Sequence, residues 1–181
     1  MIMEQALVDY ITAKNAETQE WVDAAEGRMA GMIPTDPAFF EENGWTTLVK
    51  YKRAMLEEDA YYMCAEAYSK SYARMMNFKF KTNAELEDLC DQYGDTIEAN
   101  IKEESEWAQQ CVDTFQSILT NTINCGARNE ETALRWLVEG EDFYHSQDVE
   151  SFVYGYGILF TDYGKELVKK IMNIVTYKEF V

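Results

Sequence analysis

The fold of this chain is decided by residues 83–125, which read NAELEDLCDQYGDTIEANIKEESEWAQQCVDTFQSILTNTINC. At about 100° per residue, the apolar side chains of this stretch fall in one sector of a helix and the acidic side chains fall in the remainder. The stretch therefore predicts one long amphipathic helix, or two nearly collinear ones. Its predicted core-facing stripe consists of Leu86, Leu89, Cys90, Tyr93, Ile97, Ile101, Trp107, Ala108, Cys111, Val112, Phe115, Ile118 and Leu119.

The opposite side of this predicted helix is almost entirely acidic. Between Thr82 and Asp113 there are ten acidic residues and one basic residue, Lys102. A surface helix gains a few tenths of a kcal/mol from each Glu and Lys pair four residues apart, and it loses about as much from each like-charged pair. Because this helix forgoes that gain, we interpret its acidic face as a surface with a role beyond the stability of the helix.

The remaining sequence also predicts helices. Residues 2–31 form one apolar face that is interrupted near Asn15, and residues 37–43 form a short helix that Thr35 or Asp36 caps. Residues 46–78 contain no helix breaker and predict a long central helix. Three further helices follow, with starts at Asn129, at Ser146 and at Thr161 or Asp162. The prediction is an all-α fold: a single compact bundle of six to eight helices with one long acidic amphipathic helix.

Composition indicates an ordinary globular domain. The chain has 181 residues, of which 47% are hydrophobic and 14% aromatic, and this excludes global disorder. We expect a single helical domain over residues 1–181. No apolar run approaches the roughly 20 residues that a membrane span needs. The first residues have neither the basic nor the apolar part of a signal peptide, so the expected location is the cytoplasm.

The net charge of −17 is concentrated in three blocks. They are residues 1–42, 82–113 and 130–150, whereas residues 45–81 carry seven bases against four acids. Such a chain is not expected to bind nucleic acid directly, because that affinity depends on Lys and Arg contacts with phosphates. It favours partners with basic surfaces, chiefly proteins that themselves bind DNA or RNA. The pattern is also compatible with a homodimer.

No catalytic, metal-binding or cofactor motif stands out. The chain has one histidine, His145, and no CxxC pair among Cys64, Cys90, Cys111 and Cys125. A di-metal site in a helical bundle needs Glu from two helices and Glu-x-x-His from two others, which one histidine does not provide. We therefore expect free thiols, no catalytic residue, no metal and no cofactor, that is, a protein that is not an enzyme.

The spacing of the acids on the long helix suggests mimicry of a nucleic-acid backbone. From Glu85 to Glu98 the helix rises about 20 Å. Five carboxylates along this length stand one per roughly 4 to 5 Å, compared with ~3.4 Å between phosphates on one DNA strand. The function expected is a non-enzymatic inhibitor or regulator that occupies the basic groove of a nucleic-acid-binding protein, such as a nuclease or its ribonucleoprotein. The predicted partner-binding residues are Glu85, Asp88, Asp91, Asp95, Glu98, Glu103, Glu106, Glu130, Glu131, Glu141 and Asp142.

Two alternative functions remain open. One is a metal-binding or redox carboxylate bundle, and the other is a structural or assembly protein of a virus or mobile element. In length and charge the chain is similar to the small acidic helical proteins that phages and mobile elements use against restriction or CRISPR nucleases. That similarity is one of composition, and it assigns no role to any residue.

Overall fold

The described part of the chain, residues 3–179 of a computed structural model, consists of helices and connecting segments. It contains eight α-helices and one 3-10 turn and no β-strand, so the prediction of an all-α fold with six to eight helices is confirmed. The elements are α1 (Gln5–Asp23), α2 (Pro37–Glu42), α3 (Leu48–Ala67), α4 (Lys70–Met75), the 3-10 turn (Phe78–Phe80), α5 (Asn83–Asn124), α6 (Glu130–Val138), α7 (Ser146–Gly155) and α8 (Asp162–Met172).

The long acidic helix is one continuous element of 42 residues, α5. Its start is fixed by a capping box: Thr82 donates to the Glu85 carboxylate from its backbone N–H and its hydroxyl, and the Glu85 N–H donates to the Thr82 hydroxyl at 3.3 Å. Its end is followed by Gly126, whose φ of 125° is a conformation that other residues rarely adopt. Of the two predicted arrangements, the single helix is the one that forms.

The described residues fall into two compact units, divided after Glu98 within α5. The first unit contains α1 to α4, the 3-10 turn and the first part of α5. The second contains the rest of α5 with α6, α7 and α8. The single domain expected over residues 1–181 stays a prediction.

The first unit has two apolar clusters, both built on α3. In one, Tyr51 packs with Leu7 and Ile11 of α1 and with Phe40 of α2. Asp36 caps α2, since its carboxylate accepts from the Ala38 N–H at 3.0 Å. The second cluster joins α3, α4, the 3-10 turn and α5 through Ala60, Cys64, Ala67, Ala73, Phe78, Leu86 and Tyr93.

Two predicted helix boundaries in this unit are wrong. The predicted helix over residues 2–31 starts at Ile2, which lies outside the described residues, and it ends earlier than expected, at Asp23. α1 continues through Asn15 because that side chain is satisfied by the Ile33 backbone, to which it donates at 2.9 Å and from which it accepts at 2.8 Å. The predicted 46–78 helix stops at Ala67, because Ser69 accepts from the Tyr72 N–H and starts α4.

The second unit is packed around the buried side of α5 between Val112 and Leu119. Asn129 caps α6 by accepting from the Thr132 N–H at 2.9 Å, and Thr161, not Asp162, caps α8. A Cβ at Gly164 would overlap the carbonyl oxygen of Ile158, so α8 begins in direct backbone contact with the preceding segment. The buried side chains of this core are Val112, Phe115, Leu119, Ala127, Ala133, Leu134, Val138, Phe143, Val149, Val153, Ile158, Leu167, Val168 and Ile171.

The predicted core stripe of α5 is right at its two ends and wrong in the middle. Leu86 and Tyr93 are buried in the first unit, and Phe115 is buried in the second. Every residue from Glu98 to Trp107 is exposed, including Ile101 at 60% and Trp107 at 55%. The apolar period continues through this segment, although its side chains are exposed.

None of the helices in residues 3–179 combines the length and the apolar character that crossing a bilayer requires.

Candidate functional site: an acidic groove between α3 and α5

The predicted acidic residues of α5 are all exposed to solvent. Five of them, Glu85, Asp88, Asp91, Asp95 and Glu98, lie in the first unit. The remaining two, Glu103 and Glu106, belong to the second unit. The first unit therefore carries the denser part of the predicted surface.

Glu85 has a structural role as well as a charge. Its carboxylate accepts from the Thr82 N–H at 2.6 Å and from the Thr82 hydroxyl at 2.8 Å. The backbone hydrogen bond, followed by the hydroxyl hydrogen bond, lowers the pKa of this carboxyl. Glu85 is thus directed back to the start of the helix, and it is a weaker candidate for partner binding than the acids that follow it.

Acids from two helices converge on one groove in the first unit, which we call the acidic groove. Its rim carries Asp59 and Glu66 of α3 with Glu87 and Asp91 of α5. Its apolar wall and floor are formed by Leu56, Tyr62, Met63 and Cys90. The volume of the groove is about 320 Å³. The two helices lie close together here, since a Cβ placed on Gly94 would be 3.6 Å from the terminal methyl of Met63.

The charges around this groove act on the thiol of Cys90. Partial burial is the main cause that raises the pKa of Cys90, and the carboxylates of Asp59, Asp91 and Glu87 raise it further. Within residues 3–179, none of the four rim carboxylates forms an ion pair with a basic side chain. The acidic groove therefore holds negative charge that no neighbouring base neutralises.

The other predicted partner-binding acids lie in the second unit, and most are already paired. Glu106 lies 3.8 Å from the Lys102 ammonium, and Glu131 lies 2.9 Å from the Arg135 guanidinium. Glu130 lies 2.8 Å from the ammonium of Lys170, and Asp142 pairs with Lys178. Glu141 lies in a segment that lines a separate pocket of this unit. These residues have part of their charge neutralised within the chain.

Sequence reasoning missed the contribution of α3. The sequence did not indicate Asp59 and Glu66 as site residues, because residues 45–81 have a net positive charge. The available signal was the acidic run Glu57, Glu58 and Asp59, which stands apart from the bases at the two ends of that segment. Glu87 is one of the ten acids counted between Thr82 and Asp113, but it is not among the predicted partner-binding residues. A charge balance over a whole segment does not show which helix face carries each charge.

The described residues contain no group of three or more His, Cys, Asp or Glu side chains arranged to hold a metal ion. The four cysteines are free: Cys64 is buried, Cys90 and Cys111 are half-buried, and Cys125 is exposed. His145 lies beside Asp148, with 3.1 Å between the imidazole Nδ1 and the carboxylate. The expectation of a non-enzymatic protein without metal or cofactor stays a prediction.

Comparison with known proteins identifies no relative by sequence or by fold. No protein-family model matches the chain, and no curated protein or solved structure matches it. The chemistry of the acidic groove is therefore the basis for assigning a function.

Proposed function

We propose that this protein is a non-enzymatic inhibitor or regulator that binds the basic nucleic-acid-binding surface of a partner protein. The contact surface consists of the acidic groove and the exposed acids that continue along α5, namely Asp88, Asp95 and Glu98. The observation that carries the proposal is the set of four unpaired carboxylates around an apolar floor.

The arrangement of charge supports a partner that normally binds a phosphate backbone. Asp88, Asp91, Asp95 and Glu98 follow one another at steps of three or four residues, or about 4.5 to 6 Å along the helix axis. Phosphates on one DNA strand are spaced by ~3.4 Å, so the two charge densities are of the same order. Because the helix backbone holds these positions, fewer groups have to be ordered on binding.

The apolar floor of the acidic groove favours a partner-binding surface over a surface whose only role is solubility. Lys and Arg carry long aliphatic stems below their charged ends. A groove with Leu56 and Met63 below and carboxylates at the rim can contact both parts of such a side chain. A basic groove that binds DNA or RNA presents many side chains of this kind.

The experiment uses a panel of purified restriction endonucleases and CRISPR ribonucleoproteins, with DNA cleavage measured as the protein is titrated. We expect at least one member to be inhibited, with inhibition that is competitive with DNA and weaker at high salt. A groove variant with Asp59→Lys, Glu87→Lys and Asp91→Lys should lose inhibition by at least about tenfold, since like charges would then face the partner.

A matched control changes the net charge equally at another place in the first unit. Glu20, Glu26 and Glu42 are exposed, and their replacement by Lys leaves the acidic groove intact. This control variant should keep most of the inhibition, and both variants should keep a helical circular-dichroism spectrum. Equal losses in the two variants, or no inhibited enzyme in the panel, would count against the proposal.

A further inference from the structure

One segment of this acidic protein carries basic side chains and no acidic ones. Residues 68–81 contain four bases and no acidic residue. Lys70, Arg74, Lys79 and Lys81 form no ion pair within the described part of the chain. Elsewhere bases such as Lys14 and Lys165 do pair with acids close by in the sequence. In a chain with 33 acids and 16 bases, a segment of this length without an acid is a local concentration of positive charge.

At the end of this segment, Phe80 stands between Lys79 and Lys81 in the sequence. We call residues 79–81 the basic turn. Phe80 is 87% exposed, which makes it the most exposed aromatic side chain among residues 3–179. Phe78, two positions earlier, is 7% exposed and belongs to the core of the first unit. The 3-10 turn thus directs Phe78 inward and Phe80 outward.

The basic turn is held in place by Arg53 of α3. The guanidinium donates to the carbonyl oxygen of Lys81 at 2.6 Å, to the carbonyl oxygen of Phe78 at 3.3 Å and to the Asn83 side chain at 2.8 Å. An exposed ring on a backbone fixed in this way loses little conformational freedom when it is buried in an interface. Aromatic side chains, Phe among them, are enriched at the cores of protein interfaces.

We propose that the basic turn of one copy of this chain docks into the acidic groove of a second copy. The phenyl ring of Phe80 would contact the apolar floor, and the ammonium groups of Lys79 and Lys81 would face the rim carboxylates. The acidic groove supplies both an apolar floor and unpaired negative charge, which are the two features that match the turn. The residues that line the groove do not include the basic turn of the same chain, so the contact requires another copy.

This contact joins two different surfaces, the basic turn of one copy and the acidic groove of another. Two copies can exchange it reciprocally about a two-fold axis, or successive copies can build a ring or an open chain. The basic partner of the proposed function would compete for the same groove. Self-association does not require that partner. A chain that does not self-associate would therefore leave the proposed function unaffected, and a failure to inhibit any partner would leave self-association unaffected.

The test is sedimentation velocity on the full chain at increasing concentration. We expect the average mass to rise with concentration in about 50 mM salt and to fall toward that of a monomer in about 500 mM salt, because the charges are then screened. A turn variant, with Lys79→Glu, Phe80→Ser and Lys81→Glu, should remain monomeric at low salt. The groove variant, with Asp59→Lys, Glu87→Lys and Asp91→Lys, should do the same.

The decisive sample is an equimolar mixture of these two variants. Each retains one intact surface, so the mixture should form a complex of two chains and grow no further. A contact of turn with turn, or of groove with groove, would not produce this result. A control variant carries Val49→Ser, Lys50→Glu and Lys52→Glu, which lie on α3 and not on the basic turn. These substitutions change the net charge by the same amount and remove one exposed apolar side chain, and the control should associate like the parent. Thermal melts of all variants check that each one folds.

Several outcomes would overturn the proposal. One is a parent chain that stays monomeric at every concentration, and another is a turn variant that associates like the parent. The third is an equimolar mixture in which the turn variant and the groove variant form no complex. A further measurement is the binding of a labelled single-stranded oligonucleotide to the parent and to the turn variant. If the parent binds it, the turn variant does not, and the parent shows no self-association, the basic turn is a nucleic-acid surface and not a contact between copies.

Discussion

The guanidinium of Arg53 donates a hydrogen bond of 2.6 Å to the backbone carbonyl oxygen of Lys81. The same group bonds to the Phe78 carbonyl and to the Asn83 side chain, and it pairs with Glu57 at 2.7 Å. One side chain of α3 therefore fixes the segment that leads from the 3-10 turn into α5. Arginine suits this position because its planar group presents five N–H donors in a fixed geometry.

Replacement of Arg53 by Lys should destabilise the first unit. Lysine keeps the charge but lacks the geometry to reach several acceptors at once, and Arg53 is only 22% exposed. We expect the free energy of unfolding to fall by about 2 kcal/mol, the size of a hydrogen bond made by a charged group. Urea denaturation followed by circular dichroism measures the change. Lys50→Ala, at an exposed position of the same helix, is the control and should stay within about 0.5 kcal/mol of the parent. An Arg53→Lys variant as stable as the parent would show that these hydrogen bonds contribute little.

The capping box of α5 should give the chain a pH-dependent contribution to stability. Hydrogen bonds from the backbone N–H and then the hydroxyl of Thr82 lower the pKa of Glu85 below its ordinary value of 4.5. A carboxyl whose pKa is lower in the folded state stabilises the protein above its ordinary pKa, and this contribution is lost as the pH falls through the lowered value. Glu85→Gln should therefore melt at a lower temperature than the parent near pH 7, and the two melting temperatures should converge below pH 4.5.

The control for this prediction is Glu87→Gln, two residues further along α5. Its side chain makes no hydrogen bond to the start of the helix. Thermal melts of the three proteins across the acidic range provide the comparison. A constant difference between Glu85→Gln and the parent at every pH would show that the carboxylate charge has no part in the cap.

Local chemistry in the sequence predicted much of the fold. The apolar period from Leu86 to Leu119 predicted α5, and Pro37 with its preceding acid predicted the start of α2. The prediction of one continuous central helix is wrong at Ser69. There a side-chain cap starts a new helix, and neither glycine nor proline marks the boundary in the sequence. The predicted core is wrong at Ile101, which is 60% exposed, because a period identifies an apolar face but not whether another element covers it.

The candidate site was predictable only in part, for a related reason. The acids of α5 were identified from their number and spacing, whereas Asp59 and Glu66 join them only because α3 lies beside α5 at Met63 and Gly94. That contact is a tertiary feature, and no local pattern in α3 encodes it. The same holds for the basic turn, since the role of Arg53 depends on acceptors 25 to 30 residues away.

The thiol of Cys90 offers a direct measure of the charge in the acidic groove. Burial and the carboxylates of Asp59, Asp91 and Glu87 raise its pKa, and the thiolate is the form that reacts with iodoacetamide. We expect Cys90 to be alkylated more slowly than the exposed Cys125. Asp91→Asn removes one neighbouring charge and should speed the reaction of Cys90 about twofold at mildly alkaline pH. Asp88→Asn removes the same charge at a position that is not among the causes of the Cys90 pKa shift, and it should leave the rate unchanged. Pulsed alkylation with peptide mass spectrometry gives the rate at each cysteine. Equal rates in the two variants would mean that the rim carboxylates do not act on the groove as described.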